Sequence, residues 1–349
     1  MQFNLFIYLK NKTMKKKYGM IVGIDVSKLK LDVWLMTSPE DAKQHHFIVS
    51  NNEKGIKQIL STIKKQKIDL SECLFCFENT GIYSMPLSFF LSKKGLDHWV
   101  VPALEIKRSK GISRGKNDKN DSKDIAFYAH THFHKLKLNQ LPEKELLQLK
   151  VLFSERVKLV KVIGIMDRTR ENEGFIPKEI IKETIKLNAK TIVFLKAQLK
   201  ELESKINAIV KENERINEQV ELVKSVPGVG TQTALYLVIT TKCFDAFNDW
   251  RKLACYSGIA PFDYSSGTSV RGRTKVNHLA DKKMKSMMQM CVLTAIKNDT
   301  ELKAYYHKKK EEGKNSMLVM NNVRCKIMAR VFAVVNRGTP FVNTQKFTA

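Results

Sequence analysis

The pattern of apolar and polar residues in the first part of the chain alternates between strands and helices. Three apolar runs, YGMIVGIDV, LKLDVWLM and HHFIVS, come before the first amphipathic stretch, NEKGIKQILSTIKKQ. The runs CLFCFE and HWVV then flank a second helical stretch, MPLSFFLSKKG. Short apolar runs indicate strands, whereas apolar spacings of three and four indicate helices. Residues 18–142 are therefore predicted to form a mixed sheet flanked by helices.

Strand patterns disappear between residues 143 and 222, where charge-rich helix replaces them. Apolar residues recur there at alternating spacings of three and four, which is typical of a coiled-coil seam. The seam consists of Ile192, Leu195, Leu199, Leu202, Ile206, Ile209, Ile216 and Val220. Polar Asn213 fills the one gap in this series. Two interpretations are open: a helical hairpin within one chain that acts as a spacer, or a dimerisation arm in which Asn213 sets the register.

The last region, residues 223–349, begins with SVPGVG and has a mostly helical pattern, and residues 1–17 form a tail before the first strand. The predicted architecture is thus α/β followed by α. Three strands before the first helix, then alternation, is the order of a ribonuclease-H-like domain, and other α/β folds would also produce this pattern.

Charge narrows the possible partners to polyanions. The 349 residues include 61 Lys and Arg against 35 Asp and Glu, a formal net charge of +26. Basic residues are spread along the whole chain rather than collected on one amphipathic face, which favours nucleic acid over an anionic membrane. No apolar run is long enough to cross a bilayer, and the N-terminal segment lacks a cleavage signal. We expect a cytoplasmic, nucleoid-associated protein that does not bind membranes.

Acidic residues stand where two predicted strands end and where a helix begins. Asp25 ends the apolar run in GIDVSK, and Glu78 ends the run in CFENTG. Asp118, Asp121 and Asp124 follow at spacings of three, so two of them can share a helix face. Clustered carboxylates repel one another unless cations hold them, and such oxygen ligands suit Mg²⁺ or Mn²⁺. By itself, the run DKNDSKD is more often a solvated first turn of a helix.

Two glycine-containing segments lie in the C-terminal region. In SVPGVG, Gly228 and Gly230 could let backbone amides approach a nucleic-acid phosphate, as in a helix-hairpin-helix turn. Alternatively, they could form a plain turn between two helices that begins at Pro227. The second segment places Ser265 and Ser266 before Gly267. The cations that follow are Arg271, Arg273 and Lys275. They could hold a phosphate beside a nucleophilic serine, although a serine next to a glycine usually marks only a loop.

These motifs, in this order, resemble the DEDD transposases of the IS110 family of insertion sequences. GIDVSK, ENTG and KNDKNDSKDIA are similar to the family's N-terminal RuvC-like domain, while SVPGVG, LACYSGIAP and SSGTSVRGR are similar to its C-terminal transposase domain. The resemblance covers most of the chain. It implies a RuvC-like domain at 18–142, a helical coiled-coil region for dimerisation at 143–222 and a transposase domain at 223–349.

The resemblance also implies the roles of particular residues. The metal-binding acids of the family correspond to Asp25, Glu78, Asp118 and Asp121. Because the register with Asp121 and Asp124 also keeps a K-N-D motif, that pair is the alternative. The family's nucleophilic serine corresponds to Ser266, with Ser265 as the alternative. Two departures from the family pattern are Ser122, in place of the usual alanine, and NHLADKKMKSMM, which lacks the usual glycine before the next helix.

The activity implied by the resemblance is DNA recombination through a phosphoserine intermediate, with Mg²⁺ or Mn²⁺ at the acids. A bridge RNA would pair with donor and target DNA, and the protein would act as a dimer or tetramer whose catalytic site combines two subunits. Two alternatives remain open. The first is a metal-dependent nuclease of the Holliday-junction-resolvase type, and the second is a non-catalytic nucleic-acid-binding scaffold.

Overall fold

A computed structural model describes residues 18–38, 45–111, 117–168, 175–267 and 269–343, without the side chains of Val270 and Arg273. The expected N-terminal tail, residues 1–17, lies outside these ranges. The chain divides into two compact units, Met1–Leu141 and Pro142–Ala349. Among the described residues, no helix is both long and apolar enough to span a bilayer.

The first unit is built on one five-stranded sheet. Its strands are β1 (Met20–Val26), β2 (Lys30–Met36), β3 (His45–Ser50), β4 (Cys73–Glu78) and β5 (His98–Val101). They lie in the order β3-β2-β1-β4-β5. β2 is antiparallel to both β1 and β3, whereas β4 is parallel to β1 and β5. This confirms the predicted mixed sheet, with the strand order of a ribonuclease-H-like domain.

Helices cover both faces of this sheet. Helices α1 (Glu53–Lys65) and α2 (Met85–Lys93) contribute to a core on one face, where Ile56, Ile59 and Ile63 of α1 are buried. On the other face, α3 (Ala103–Ser109) and α4 (Asp118–Thr131) contribute to a second core. Because successive strand residues point to opposite faces, every second residue of each strand is directed toward α4.

Helix α4 approaches the backbone of β1 unusually closely at Gly23. A Cβ atom at this position would lie 2.4 Å from the carbonyl oxygen of Ser122 and 2.6 Å from the amide nitrogen of Ala126. Both neighbours are backbone atoms of α4, so they cannot move aside as a flexible side chain could. Glycine at position 23 therefore sets the distance between the central strand and the helix that carries the aspartates.

The second unit begins with two helices that pack against each other, α5 (Lys144–Asp167) and α6 (Lys178–Glu212). Arg156 of α5 donates to Glu203 of α6, with 2.7 Å between Nε and Oε1. Ile206 and Val210 of α6 belong to the core of this unit. These contacts fit the interpretation of the region as a helical hairpin within one chain.

The predicted role of Asn213 as a polar residue of a continuous seam is wrong. Helix α6 ends at Glu212, and the Asn213 backbone is extended, with φ −106° and ψ 104°. The Asn213 side chain accepts a hydrogen bond from the amide of Ile216 and so caps α7 (Glu214–Lys224). Asparagine is a favoured N-cap residue, and this local hydrogen bond replaces continuation of the helix.

The rest of the second unit is helical apart from one hairpin. Its helices are α8 (Thr231–Thr241), α9 (Trp250–Tyr256), α10 (Lys282–Asn298), α11 (Thr300–Glu311) and α12 (Ser316–Arg337). The antiparallel strands β6 (Pro261–Ser266) and β7 (Val270–Val276) stand between α9 and α10. The helical prediction for this region is confirmed, whereas the hairpin was not predicted. We refer to residues 261–276 as the serine hairpin.

The Gly23 contact can be tested by adding one methyl group. We expect Gly23→Ala to lower the free energy of unfolding by about 3 kcal/mol, toward the upper end for overpacked sites, because α4 must move away from β1. Urea denaturation followed by circular dichroism measures this change. The matched control is Gly164→Ala in α5, where a Cβ atom meets nothing within 4 Å. This control should gain about 0.5–1 kcal/mol from helix propensity. Equal effects of the two variants would contradict the packing argument.

Candidate metal centre and serine hairpin

Asp25 and Glu78 lie side by side at the ends of adjacent parallel strands. The last paired residues of β1 and β4 are Ile24 and Phe77, so the two acids follow at the same level. Gly23, two residues before Asp25, contacts α4. Cys76, two residues before Glu78, packs in the core shared with α4. By strand alternation, both carboxylates are directed to the α4 side of the sheet.

Helix α4 supplies two further acids in its first turn. Asn117 caps the helix by accepting a hydrogen bond from the amide of Lys119. One carboxylate oxygen from each of Asp25, Asp118 and Asp121 lies within 4.8 Å of the others, and all three residues are half-buried. Oxygens on opposite sides of one Mg²⁺ are separated by about 4 Å, since each bond is about 2.1 Å long. These three carboxylates can therefore reach a single cation after small adjustments.

The other two predicted ligands lie outside this group of three. Within the described ranges, Glu78 does not belong to the group whose carboxylate oxygens lie within 4.8 Å of one another, although it ends the strand next to Asp25. Asp124 is also outside the group and shares Lys110 with Asp121, with 3.2 Å between Asp124 Oδ2 and Lys110 Nζ. The structure thus brings Asp25 together with Asp118 and Asp121, rather than with Asp121 and Asp124.

Two lysines place positive charge against the carboxylate group. Lys30 Nζ lies 2.8 Å from Asp118 Oδ2, and Lys110 Nζ lies 2.5 Å from Asp121 Oδ1. The hydrogen bond from Lys30 to Asp118, followed by the one to Asp32, raises the pKa of Lys30. Burial opposes the charge on Lys110, but hydrogen bonds to Asp121 and Asp124 outweigh it and raise the pKa of that lysine. Both ammonium groups thus offset the repulsion between the acids.

Asp32 is a carboxylate near this site that the sequence reasoning missed. It stands directly opposite Asp25 in the β1–β2 register and is only 2% exposed. Its carboxylate lies 3.2 Å from Lys30 Nζ and 3.3 Å from His46 Nε2. The available signal was an acid within the apolar run LDVWLM, because a buried carboxylate requires a partner. Asp32 holds Lys30 where its ammonium group can reach Asp118.

The serine hairpin presents Ser265 and Ser266 to solvent. Both residues are exposed at the end of β6, where Ser266 pairs with Val270 and Ser265 pairs with Arg271. Gly267 has a φ of +55°, as the turn requires. Arg271 and Lys275 are exposed, and the Arg273 side chain lies outside the description. Within the described part of the chain, no side-chain base contacts the Ser266 hydroxyl, so the hairpin alone does not activate it.

The two glycines of SVPGVG have different surroundings. Gly228 has a φ of +89°, and a Cβ atom there would lie 2.5 Å from the carbonyl oxygen of Cys291 in α10. This contact accounts for the glycine by helix packing and fits the simpler interpretation of an inter-helix turn. Gly230 is the N-cap of α8, and a Cβ atom there would meet nothing within 4 Å.

Two family models match successive parts of the chain, and the first match extends past Leu141 into the second unit. The first is described as a transposase, of the IS110 DEDD type, and matches residues 22–171. The second, described as transposase IS116/IS110/IS902 family, matches residues 220–307. The first range contains the carboxylate group, and the second contains the serine hairpin.

Individual proteins are similar over different lengths. Pilin gene-inverting proteins of Moraxella lacunata and Moraxella bovis are each 23% identical over 333 residues, which cover 94% of this chain and 98% of those proteins. An uncharacterized 43.6 kDa protein of the insertion element IS110 in Streptomyces coelicolor is 26% identical over 151 residues, 43% of this chain and 36% of that protein.

A solved structure, Thermus thermophilus RuvC in complex with a Holliday junction substrate, matches 36% of this chain and 100% of its own, with a TM-score of 0.26 and 9% identity.

The family models carry the assignment, because together they match more than half of the chain in the order of its two units. The chain belongs to the IS110 family of transposases.

Proposed function

We propose that this transposase cuts and rejoins DNA by using a divalent cation at the strand-end acids and a phosphoserine intermediate at Ser266. The observation that carries the proposal is the convergence of Asp25, Asp118 and Asp121 from two separate elements on one point. The second unit offers an exposed serine on one strand of a hairpin whose other strand carries cationic residues. These are the two groups that metal-assisted phosphoryl transfer to a serine requires.

The proposed cation is Mg²⁺, with Mn²⁺ as a chemical substitute, because the ligands are all carboxylates. Asp25, Asp118 and Asp121 would hold it, and Glu78 would join them from the next strand end. When bound, the cation polarises a DNA phosphate and stabilises the oxygen that leaves. Its charge would replace the charges that Lys30 and Lys110 now supply to Asp118 and Asp121.

Ser266 is proposed to form the covalent link to DNA. Its Oγ attacks the phosphorus and loses its proton, and the bond between phosphorus and one bridging deoxyribose oxygen breaks, so that oxygen leaves as a hydroxyl group. Attack by a DNA hydroxyl on the phosphoserine reverses the step and rejoins DNA without an external energy source. Exposed Arg271 and Lys275 lie on the opposite strand of the hairpin, where they would bind phosphates. Arg273 and the N-cap Gly230 are proposed as further nucleic-acid contacts, whereas Gly228 is better explained by packing.

The proposed homo-oligomer, a dimer or tetramer, is supported by an exposed apolar stripe on α6. Ile180, Leu187 and Phe194 are seven residues apart and are 71%, 62% and 62% exposed. Residues seven apart lie on the same side of a helix, and an apolar stripe of this kind is typical of an interface between subunits. This stripe is separate from the residues of α6 that are buried in the unit.

Double-stranded donor and target DNA are the proposed substrates, and a bridge RNA is the proposed guide. The net charge of +26 supports binding to both nucleic acids, because counterion release from each phosphate strengthens such complexes at low salt. Base pairing by the RNA would then select the sequence, while the protein contacts backbones.

Metal binding can be measured without any nucleic acid. We expect Mn²⁺ to raise the thermal unfolding midpoint of the protein, and we expect Asp121→Asn to abolish most of this rise because one ligand charge is lost. The matched control is Asp69→Asn, since Asp69 caps a short 3-10 helix and asparagine caps equally well. An undiminished rise in Asp121→Asn would remove this residue from the metal site.

Replacing Lys30 is expected to affect Mn²⁺ binding in the opposite direction to Asp121→Asn. Because its ammonium group competes with a cation for Asp118, Lys30→Met should strengthen Mn²⁺ binding severalfold, seen as a lower Kd. Isothermal titration calorimetry gives the Kd directly. Weaker Mn²⁺ binding in Lys30→Met would mean that the lysine organises the acids rather than competing for them.

The covalent step is tested by incubating the protein with Mg²⁺, flanking-region RNA and DNA that carries the element junction and target. On a denaturing gel, wild-type protein should give a protein–DNA adduct, and Ser266→Ala should give none because the nucleophile is missing. Ser265→Ala is the matched control and should keep the adduct.

Three other outcomes separate the alternatives. Cut DNA without an adduct, formed equally by Ser266→Ala, would identify a hydrolytic nuclease. Salt-sensitive binding without any strand scission, unaffected by Asp25→Ala, would identify a scaffold. An adduct that forms equally well without RNA would contradict guidance by the RNA while leaving the serine chemistry intact.

A further inference from the structure

A buried arginine lies at the base of the serine hairpin without an acidic partner. Arg324 of α12 is only 6% exposed. Across the described residues, no carboxylate lies within ion-pair distance of it, and its Nε atom is buried without a hydrogen bond. Arginine is rarely buried unless it is paired, because removing a guanidinium from water is costly. An apolar residue at this position would fill the core without the cost of removing a charge from water.

Arg330, almost two turns further along the same helix, shows the usual arrangement. Its Nη1 atom lies 3.0 Å from Asp299 Oδ2, and its Nη2 atom contacts Glu301. Two carboxylates thus offset the cost of enclosing this guanidinium. Arg330 is thus held by charge, whereas Arg324 is held only by neutral groups.

The neutral partners of Arg324 are two side-chain amides. Nη1 donates to Asn321 Oδ1 at 3.0 Å, and Nη2 donates to Gln289 Oε1. A guanidinium can only donate hydrogen bonds, so it fixes the oxygen of each amide toward itself. The nitrogen of Asn321 is therefore directed away, and it donates to the carbonyl oxygen of Ile259 at 2.8 Å.

Ile259 stands two residues before the first strand of the serine hairpin. It is fully buried and follows Gly258, whose φ is +64°. A Cβ atom at position 258 would lie 2.6 Å from the Cβ atom of Ala280, beyond the end of β7. The amide of Asp281 also donates to the carbonyl of Tyr256. Both ends of the hairpin are thus held at one place, from which its exposed strands project.

We propose that Arg324 is a positioning residue for the serine hairpin, acting through the orientation of the Asn321 amide on the Ile259 carbonyl. The functional part of this inference rests on the proposed role of Ser266. Without Arg324, the Asn321 amide can rotate, and the Ile259 carbonyl loses its fixed donor. The direction in which β6 leaves the helical core then varies. Ser266 lies five residues after Pro261, the first residue of β6, so its position varies as well.

The test compares Arg324→Met with wild-type protein in four measurements on the full chain. Because the substitution removes an uncompensated buried charge, the midpoint of urea denaturation should be unchanged or higher. Backbone amides of residues 262–276, which follow Pro261 in the serine hairpin, should exchange hydrogen about tenfold faster. Adduct formation with DNA should slow on the order of tenfold or more, since small displacements of a reacting group are costly. Mn²⁺ binding should not change.

Two variants serve as controls. Arg330→Met should lower the denaturation midpoint, because it leaves Asp299 and Glu301 without their cation, but it should not accelerate exchange selectively in the hairpin. Arg324→Lys keeps the charge but has one donor group in place of the fork, so it should restore hairpin protection only in part.

Loss of global stability in Arg324→Met without selective exchange in the hairpin would reduce Arg324 to a structural core residue and overturn the proposal. Unchanged exchange and unchanged adduct formation would overturn it equally. If Ser266→Ala still forms the adduct, the proposed nucleophile is wrong, whereas the exchange measurement still decides whether Arg324 positions the hairpin.

Discussion

The backbone-to-backbone contact between β1 and α4 at Gly23 is the constraint on which the metal site depends. Carboxylates repel one another, so a chain does not gather three of them unless other contacts impose the arrangement. Here the contact of Gly23 with Ser122 and Ala126 draws the first turn of α4 toward the end of β1. Asp25, two residues after the glycine, then meets Asp118 and Asp121. The geometry is therefore set by packing in the sheet rather than by the acids themselves.

The charges around this site follow from the same arrangement. Lys30 and Lys110 reach Asp118 and Asp121 and lower the cost of bringing the acids together. Lys30 is itself held by Asp32, a buried carboxylate opposite Asp25 in the neighbouring strand. Acids and lysines form one connected group in which a divalent cation can take over the role of an ammonium group. The proposed exchange of cations would link the stability of the unit to metal binding.

The sequence was most informative where one local rule decides the structure. The ends of apolar runs placed Asp25 and Glu78 at strand ends, and three strands before the first helix predicted the mixed sheet. The serine hairpin was missed because all six residues of β6 are exposed, so no apolar alternation marks it. Asn213 was misplaced because capping and a polar seam position use the same residue type.

Other features depend on tertiary contacts that spacing does not encode. The preference for Asp118 over Asp124 beside Asp25 depends on which side of α4 packs on Gly23, and residue spacing does not show which side that is. Gly228 looked like a phosphate-binding glycine, yet it contacts the backbone of α10. The unpaired charge on Arg324 could not be predicted from the sequence, because the sequence does not show that this arginine is buried without an acidic partner.

Binding of one cation by Asp25, Asp118 and Asp121 is tested most directly by a crystal structure of the protein grown with Mn²⁺ and measured near the manganese absorption edge. We expect an anomalous peak bound by the carboxylates of Asp25, Asp118 and Asp121, with the ammonium groups of Lys30 and Lys110 displaced from them. A peak held instead by Asp121 and Asp124, or no peak between β1 and α4 at saturating Mn²⁺, would contradict it.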